Sequence, residues 1–275
     1  MDANRLGGGH RSTMVSPIYP DLHWTVDFGS HSTDGAFTSR FWDYLQPSLM
    51  EMESKPESTD HYTILPNFWN GYHSTFPQTG LGQATIHRQI SDSSRRYYQI
   101  HSTNSTSGEE LKLGFQARVD AEPQLLDGWQ IEVTNHGDGI YAGFQAQGRL
   151  DSHPKRQQVV LEMPTGLRLP VGEATTPIIC DWMLFDLIPT LTFQKGSWTM
   201  LEDLQRLRPN HRITRTEDWT FELNGQRIIL YGYSVFGTGT EVSYWWLNAE
   251  GKVLVISKTF STYVLAKSPH TDKKG

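Results

Sequence analysis

Asp181 and Asp186 are the carboxylates best placed for acid–base chemistry, since both lie in a nearly all-apolar run from Ile178 to Leu187. A cooperating general acid and base must face one another. On a helix of 3.6 residues per turn, five positions set the two about 140° apart, so they do not share a face. That spacing disfavours a catalytic pair built from these two alone. The competing role is structural: Asp181 stabilises a helix N-terminus, and Asp186 pairs with an arginine or caps a loop. Cys180 adjoins the same predicted N-terminus, where a helix dipole would lower a thiol pKa. Ile179 and Trp182 nearby point instead to a buried, structural cysteine.

Eleven histidines invite a metal reading. Their spacing gives no local pair to seed a site: His23 and His31, His61 and His73, and His87 and His101 are too far apart for one helix turn or one strand alternation. Gly-x-Ser-x-Gly, Gly-x-x-x-x-Gly-Lys, Cys-x-x-Cys and His-Glu-x-x-His are all missing. No cofactor is implied. The remaining lead is aromatic. Tyr231, Tyr233, Tyr244 and Trp246 come from neighbouring strands, with Trp182 approaching from the helix, and these five are the candidate ligand-binding residues. Trp245 and Trp246 must point to opposite faces of one strand, so one of them is exposed unless both faces are covered.

The elements that carry these residues are mostly strands. Trp219, Phe221 and Leu223 alternate with Thr220, Glu222 and Asn224, the period of a half-buried strand. Asn224-Gly225 supplies a tight hairpin turn. Runs at Ile228–Val235, Val242–Leu247, Val253–Ser257 and Phe260–Leu265 extend this into an antiparallel meander. Upstream, Asp21–Phe28, Ala84–Ile90, Tyr97–Ser102, Glu110–Asp120, Gly128–Thr134, Tyr141–Leu150 and Gln157–Met163 read as strands, with short Gly-bearing loops at Ser105–Gly108 and His136–Gly139. Phe37–Met52 has the pattern of a short helix interrupted by Pro47, Glu53–Asp60 reads as a loop, and Met200–Leu207 fits either a helix or a strand. Thr176 as N-cap, Pro177 at the first helical position and the apolar run to Leu187 predict one buried helix near 177–188. The fold class is therefore mainly β: a curved antiparallel sheet, half-barrel or sandwich, packed around one helix. Residues 1–14 read as a disordered extension, 15–268 as a single β-rich domain and 269–275 as a disordered tail.

A net charge of −6 argues against a general nucleic-acid or anionic-membrane binder, and the basic pairs Arg95-Arg96, Lys155-Arg156 and Lys273-Lys274 read as solvated loops or tail. No run approaches the roughly 18 apolar residues of a membrane span. The single cysteine excludes an intrachain disulfide. Residues 1–13 lack an apolar signal core, so the expected compartment is the cytoplasm, or the periplasm if a signal has been removed.

The closing strand, Asn-Gly turn and tyrosine-bearing strand are followed by Ser243-Tyr-Trp-Trp-Leu-Asn-Ala-Glu-Gly-Lys-Val-Leu-Val. This pattern resembles the C-terminal region of the bacterial uncharacterised proteins of the DUF3108 family, and Cys180-Asp-Trp-Met-Leu-Phe-Asp186 looks like a helix that precedes such a meander. The resemblance spans about residues 176–265. It implies a curved antiparallel sheet around a helix, similar to LolA-type lipoprotein carriers, and it brings no catalytic residues. Two functions follow. One is a binding protein holding an apolar or amphipathic ligand, a lipid or a glycan, in the concave face of the sheet. The other is a carbohydrate-active hydrolase or lyase with Asp, His and Tyr residues gathered from several strands.

Overall fold

The computed structural model describes residues 11–15, 23–27, 58–66, 81–92, 95–105, 108–118, 126–135, 143–153, 156–191, 196–223, 226–259 and 261–266. Two short strands, β1 (Arg11–Val15) and β2 (His23–Asp27), pair with each other; β1 begins inside the segment that composition marks as an extension. The expected short helix at Phe37–Met52 and the loop at His136–Gly139 lie outside the described residues.

Everything else in the β class belongs to one sheet of sixteen strands among the described residues. Its first half is a continuous antiparallel meander: β3 (Ser58–Pro66), β4 (Gly82–Asp92), β5 (Arg95–Asn104), β6 (Glu109–Arg118), β7 (Leu126–Asn135), β8 (Phe144–His153), β9 (Arg156–Glu162) and β10 (Arg168–Ala174). Alternation dictates these strands. In β6, Leu113, Phe115 and Ala117 are buried while Lys112, Gly114 and Gln116 take the other face. The second half comprises β11 (Ile178–Cys180), β12 (Trp198–Glu202), β13 (Arg206–Arg215), β14 (Trp219–Leu223), β15 (Gln226–Phe236), β16 (Ser243–Leu247), β17 (Val253–Ser257) and β18 (Ser261–Ala266). The last strand, β18, pairs antiparallel with β3 and so joins the halves.

The sheet curls until it nearly closes. Leu207 of β13 packs against Gly172 of β10, and the Trp129 indole of β7 donates to the Leu204 carbonyl at 3.1 Å. At its free margin β10 carries Pro170, and its register with β9 shifts between Pro170 and Gly172. Inside the curl lies the one α-helix among the described residues, α1 (Leu184–Leu191), entered through a 3₁₀ turn at Asp181–Met183. Phe185 of α1 meets Tyr62, Trp182 and Trp245 at ring-centroid distances of 5.0, 5.8 and 5.2 Å. Buried residues from β3 to β18 form one core around it. Among the described residues no helix is long and apolar enough to cross a membrane.

Two sequence expectations need correction. The run Ile178–Cys180 is a strand parallel to β12, so the helix starts at Leu184 rather than near residue 177 and continues through Pro189. An apolar run of that length suits a buried strand as well as a buried helix, and periodicity does not separate them. The segment read as a loop up to Asp60 already belongs to β3 from Ser58 onward. Met200–Leu207, ambiguous in sequence, is a hairpin linking β12 to β13, with the Gln205 N–H donating to the Glu202 carbonyl at 2.9 Å.

That hairpin places Asp203 and Leu204 at φ 45° and 59°, a left-handed pair that only a tightly held turn tolerates. Three contacts hold it: Leu204 is fully buried, its carbonyl takes the Trp129 indole, and the Asp203 N–H donates to Asp181 Oδ1 at 3.1 Å. Trp129 in turn needs Gly148 opposite it on β8, where an added Cβ would sit 1.9 Å from the indole ring. Gly148→Ala is therefore expected to destabilise the fold by about 1–3 kcal/mol through overpacking. Urea denaturation with an unchanged midpoint would show that the indole is not confined by this strand.

Candidate functional site

Alternation gives β4–β9 an inner face that is apolar and an outer face that is polar, and the outer face holds a groove of about 800 Å³. The strand registers set its lining in rungs. One rung runs Thr59, His87, Gln99, Gly114, Gln130, Gln147 and Glu162 from β3 to β9, each residue the direct partner of the next. The rung beside it contains Thr85, His101, Lys112, Glu132 and Gln145. Tyr97, paired with Gln89 and Gln116, sits one rung to the other side of Gln99, and its hydroxyl leans over Gly114, where a Cβ would approach it to 2.8 Å.

The side chains at the β4–β6 end are tethered. His87 Nδ1 lies 2.8 Å from Thr59 Oγ1, and His101 Nε2 lies 2.6 Å from Glu110 Oε1, which Lys112 Nζ approaches to 3.2 Å. The four glutamines differ. Gln99, Gln130, Gln145 and Gln147 are all exposed, and their amides make no hydrogen bond to another side chain among the described residues. Each amide offers two donors and one acceptor to a molecule in the groove.

A second cluster lies on the inner face. Asp186 of α1 accepts Arg88 Nε at 3.0 Å, Arg96 Nη1 at 2.9 Å and the Tyr98 hydroxyl at 2.9 Å. Arg88 also pairs with Asp60, and Asp60 with Lys252. Arg88 and Asp60 have side chains only 8% and 5% exposed, so neither can be left without its partner at small cost. Burial, then the Asp186 charge, raises the Tyr98 hydroxyl above its ordinary range, and it serves as a donor. Arg96, which sequence placed in a solvated basic spot, is half-buried and belongs to this clamp.

Asp181 stands apart from Asp186 and faces the β12–β13 turn. Its Oδ1 accepts the backbone N–H groups of Trp182 and Asp203 and lies 3.3 Å from the Cys180 sulfur. Burial, then the neighbouring Asp203 charge, pushes its carboxyl up to about 7. Burial, then Asp181, also pushes the Cys180 thiol well up, which keeps it protonated.

The sequence-predicted aromatic set does not converge on one surface. Trp182 is buried and donates its indole N–H to Asp203 Oδ1 at 3.0 Å. Trp246 is 1% exposed, with Trp219 of β14 stacked on it at 3.8 Å, while Trp245 on the opposite face meets Phe185. Both faces of β16 are thus covered. Tyr244 is buried, its ring 6.3 Å from that of Trp246. Tyr231 and Tyr233 are half-buried beneath the Arg215 guanidinium, which lies 5.4 and 4.6 Å from their ring centroids. Sequence reasoning did not single out the groove glutamines. The signal available was local: Gln145-Ala-Gln147 and Gln130-Ile131-Glu132 put polar residues at every outward position.

Fold and groove define a β-barrel-like protein with a filled interior and an open polar trough on its outer face. No protein-family model matches the chain, and no curated protein matches it. The DUF3108 resemblance therefore has no family match beside it. Among solved structures, the chain is similar to the β-barrel-like protein of domain of unknown function DUF1849 from Brucella abortus, with 12% identity and a TM-score of 0.49. That match covers 77% of this chain and 96% of the other.

Removing Arg88 strands two inward carboxylates. Arg88→Met is expected to cost about 3–5 kcal/mol in chemical denaturation, and a loss below about 1 kcal/mol would mean the clamp does not hold α1. Asp181 makes a separate prediction. Its carboxyl ionises near 3.8 in the unfolded chain and near 7 in the folded one. Between these values the folded chain keeps a proton that the unfolded chain has lost, so this group's contribution to stability falls as pH rises and levels off above about 7. Asp181→Asn, which retains the acceptor oxygen, is expected to flatten the stability profile across that window; a variant profile parallel to the parent's would refute the assignment.

Proposed function

We propose that the protein is a binding protein for a neutral, hydroxyl-rich ligand of the glycan class, held in the outer groove of β4–β9. The observation that carries this reading is the set of four exposed glutamine amides, unengaged by other described side chains and collected into one trough. Sugar hydroxyls donate and accept at once, and amides match both roles without a net charge. Lys112 is balanced against Glu132 and Glu162 in the lining, so the groove has no cationic excess with which to capture phosphate or nucleic acid. A lipid in the concave face is less well supported, because α1 and its aromatic neighbours occupy that space. The aromatic set then contributes through packing, with Tyr97 the ring nearest a bound ligand.

A glycan array followed by calorimetric titration of the hits tests the reading. Gln99→Ala and Gln130→Ala are each expected to weaken a hit by about 3- to 10-fold, the loss of one hydrogen bond of about 0.5–1.5 kcal/mol, with unfolding midpoints unchanged. Parent affinity retained in both variants would remove the groove as the site, and an array with no hits would remove the glycan reading.

A further inference from the structure

Resting on the glycan reading, we infer that the ligand is a linear, extended oligosaccharide lying across the strands, with about one sugar unit to each strand. The direction is set by the lining. His87, Gln99, Gly114, Gln130, Gln147 and Glu162 come from six consecutive strands and are direct cross-strand partners. Five strand spacings of about 4.8 Å make this rung about 24 Å long, whereas the neighbouring rung on the same face lies only about 7 Å away along the strands. With Tyr97 one rung to the other side, the lining spans about 14 Å along the strands, so the groove is longer across the strands than along them.

Period decides between linear ligands. Sugars in an extended β-1,4-linked chain repeat at about 5 Å, close to the strand spacing of about 4.8 Å, so successive units meet successive rung positions. An extended peptide presents same-face side chains about every 6.6–6.8 Å and drifts out of step within two strands. A nucleic acid strand brings a phosphate at every step, and the lining offers one lysine against two glutamates. The middle of the rung differs from its flanks in a way that suits a sugar chain. Gly114 lacks a side chain and Tyr97 reaches over it, giving an aromatic floor between the Gln99 and Gln130 amides. The C–H face of a pyranose can rest on such a ring while its equatorial hydroxyls reach the amides on either side.

The test is calorimetric titration of the full chain with three linear series, cello-, xylo- and chito-oligosaccharides, each from one to six units, with β-cyclodextrin as a cyclic control. In at least one series, affinity is expected to rise with every added unit to five or six, by 100-fold or more from disaccharide to hexasaccharide, while the cyclic sugar does not compete. His87→Ala and Gln147→Ala, four strands apart on the rung, should each weaken the hexasaccharide at least 3-fold, whereas no disaccharide should be weakened by both. Binding of an array glycan without length dependence in any series overturns the extended-chain inference and leaves the glycan reading standing, as does equal competition by β-cyclodextrin. Failure of every glycan to bind overturns both, and capture of an extended peptide at the groove replaces the sugar chain with a polypeptide partner.

Discussion

The structure depends on the grip that β4 and β5 exert on α1 through Asp186. Arg88, Arg96 and Tyr98 reach the carboxylate from the inner face of two adjacent strands, and Arg88 carries the connection on to Asp60 and Lys252. An ion pair of this kind adds little net stability compared with apolar packing, because both ions lose their water. What it does is fix position. A short helix with apolar residues on most sides could seat itself inside the curl at several rotations, and the two-arginine fork permits one. The aromatic contacts of Phe185 to Tyr62 and Trp245 then follow from that choice.

Filling the interior assigns the two faces of the sheet different tasks. Along β4, Arg88 turns inward to the helix while its neighbour His87 turns outward to the groove. The same strand thus holds the core together and presents the trough, with no loop between the two roles. Such a surface is as rigid as the sheet beneath it, which lowers the ordering cost of binding relative to a site built on mobile loops.

Sequence disclosed the alternating strands well and the site poorly. The closing meander was legible because Trp219, Phe221 and Leu223 alternate cleanly, and the Leu223–Gln226 pairing places β14 and β15 either side of a two-residue connection at Asn224-Gly225. β10 left little trace, since Leu169, Pro170 and Gly172 neither alternate nor form an apolar run. Ile178–Cys180 misled because an apolar stretch suits strand and helix alike. The groove was illegible for another reason. Gln99 and Gln147 lie 48 positions apart in the chain, and what brings them onto one rung is a chain of three registers, each fixed by inward packing that no local pattern announces.

The margin at β10 bears on how copies of this protein treat one another. A sheet that stops short of hydrogen-bonded closure leaves backbone donors and acceptors that could recruit a strand from another molecule. Here the margin carries Pro170, which has no N–H to offer, a register break at Gly172, and the charged residues Arg168 and Glu173. Each of these spoils the ladder a visiting strand would need. Polymerisation by strand exchange is thereby discouraged where the sheet ends, and concentrated solutions of the protein gain a safeguard that resides in a few residues of the backbone's last rung.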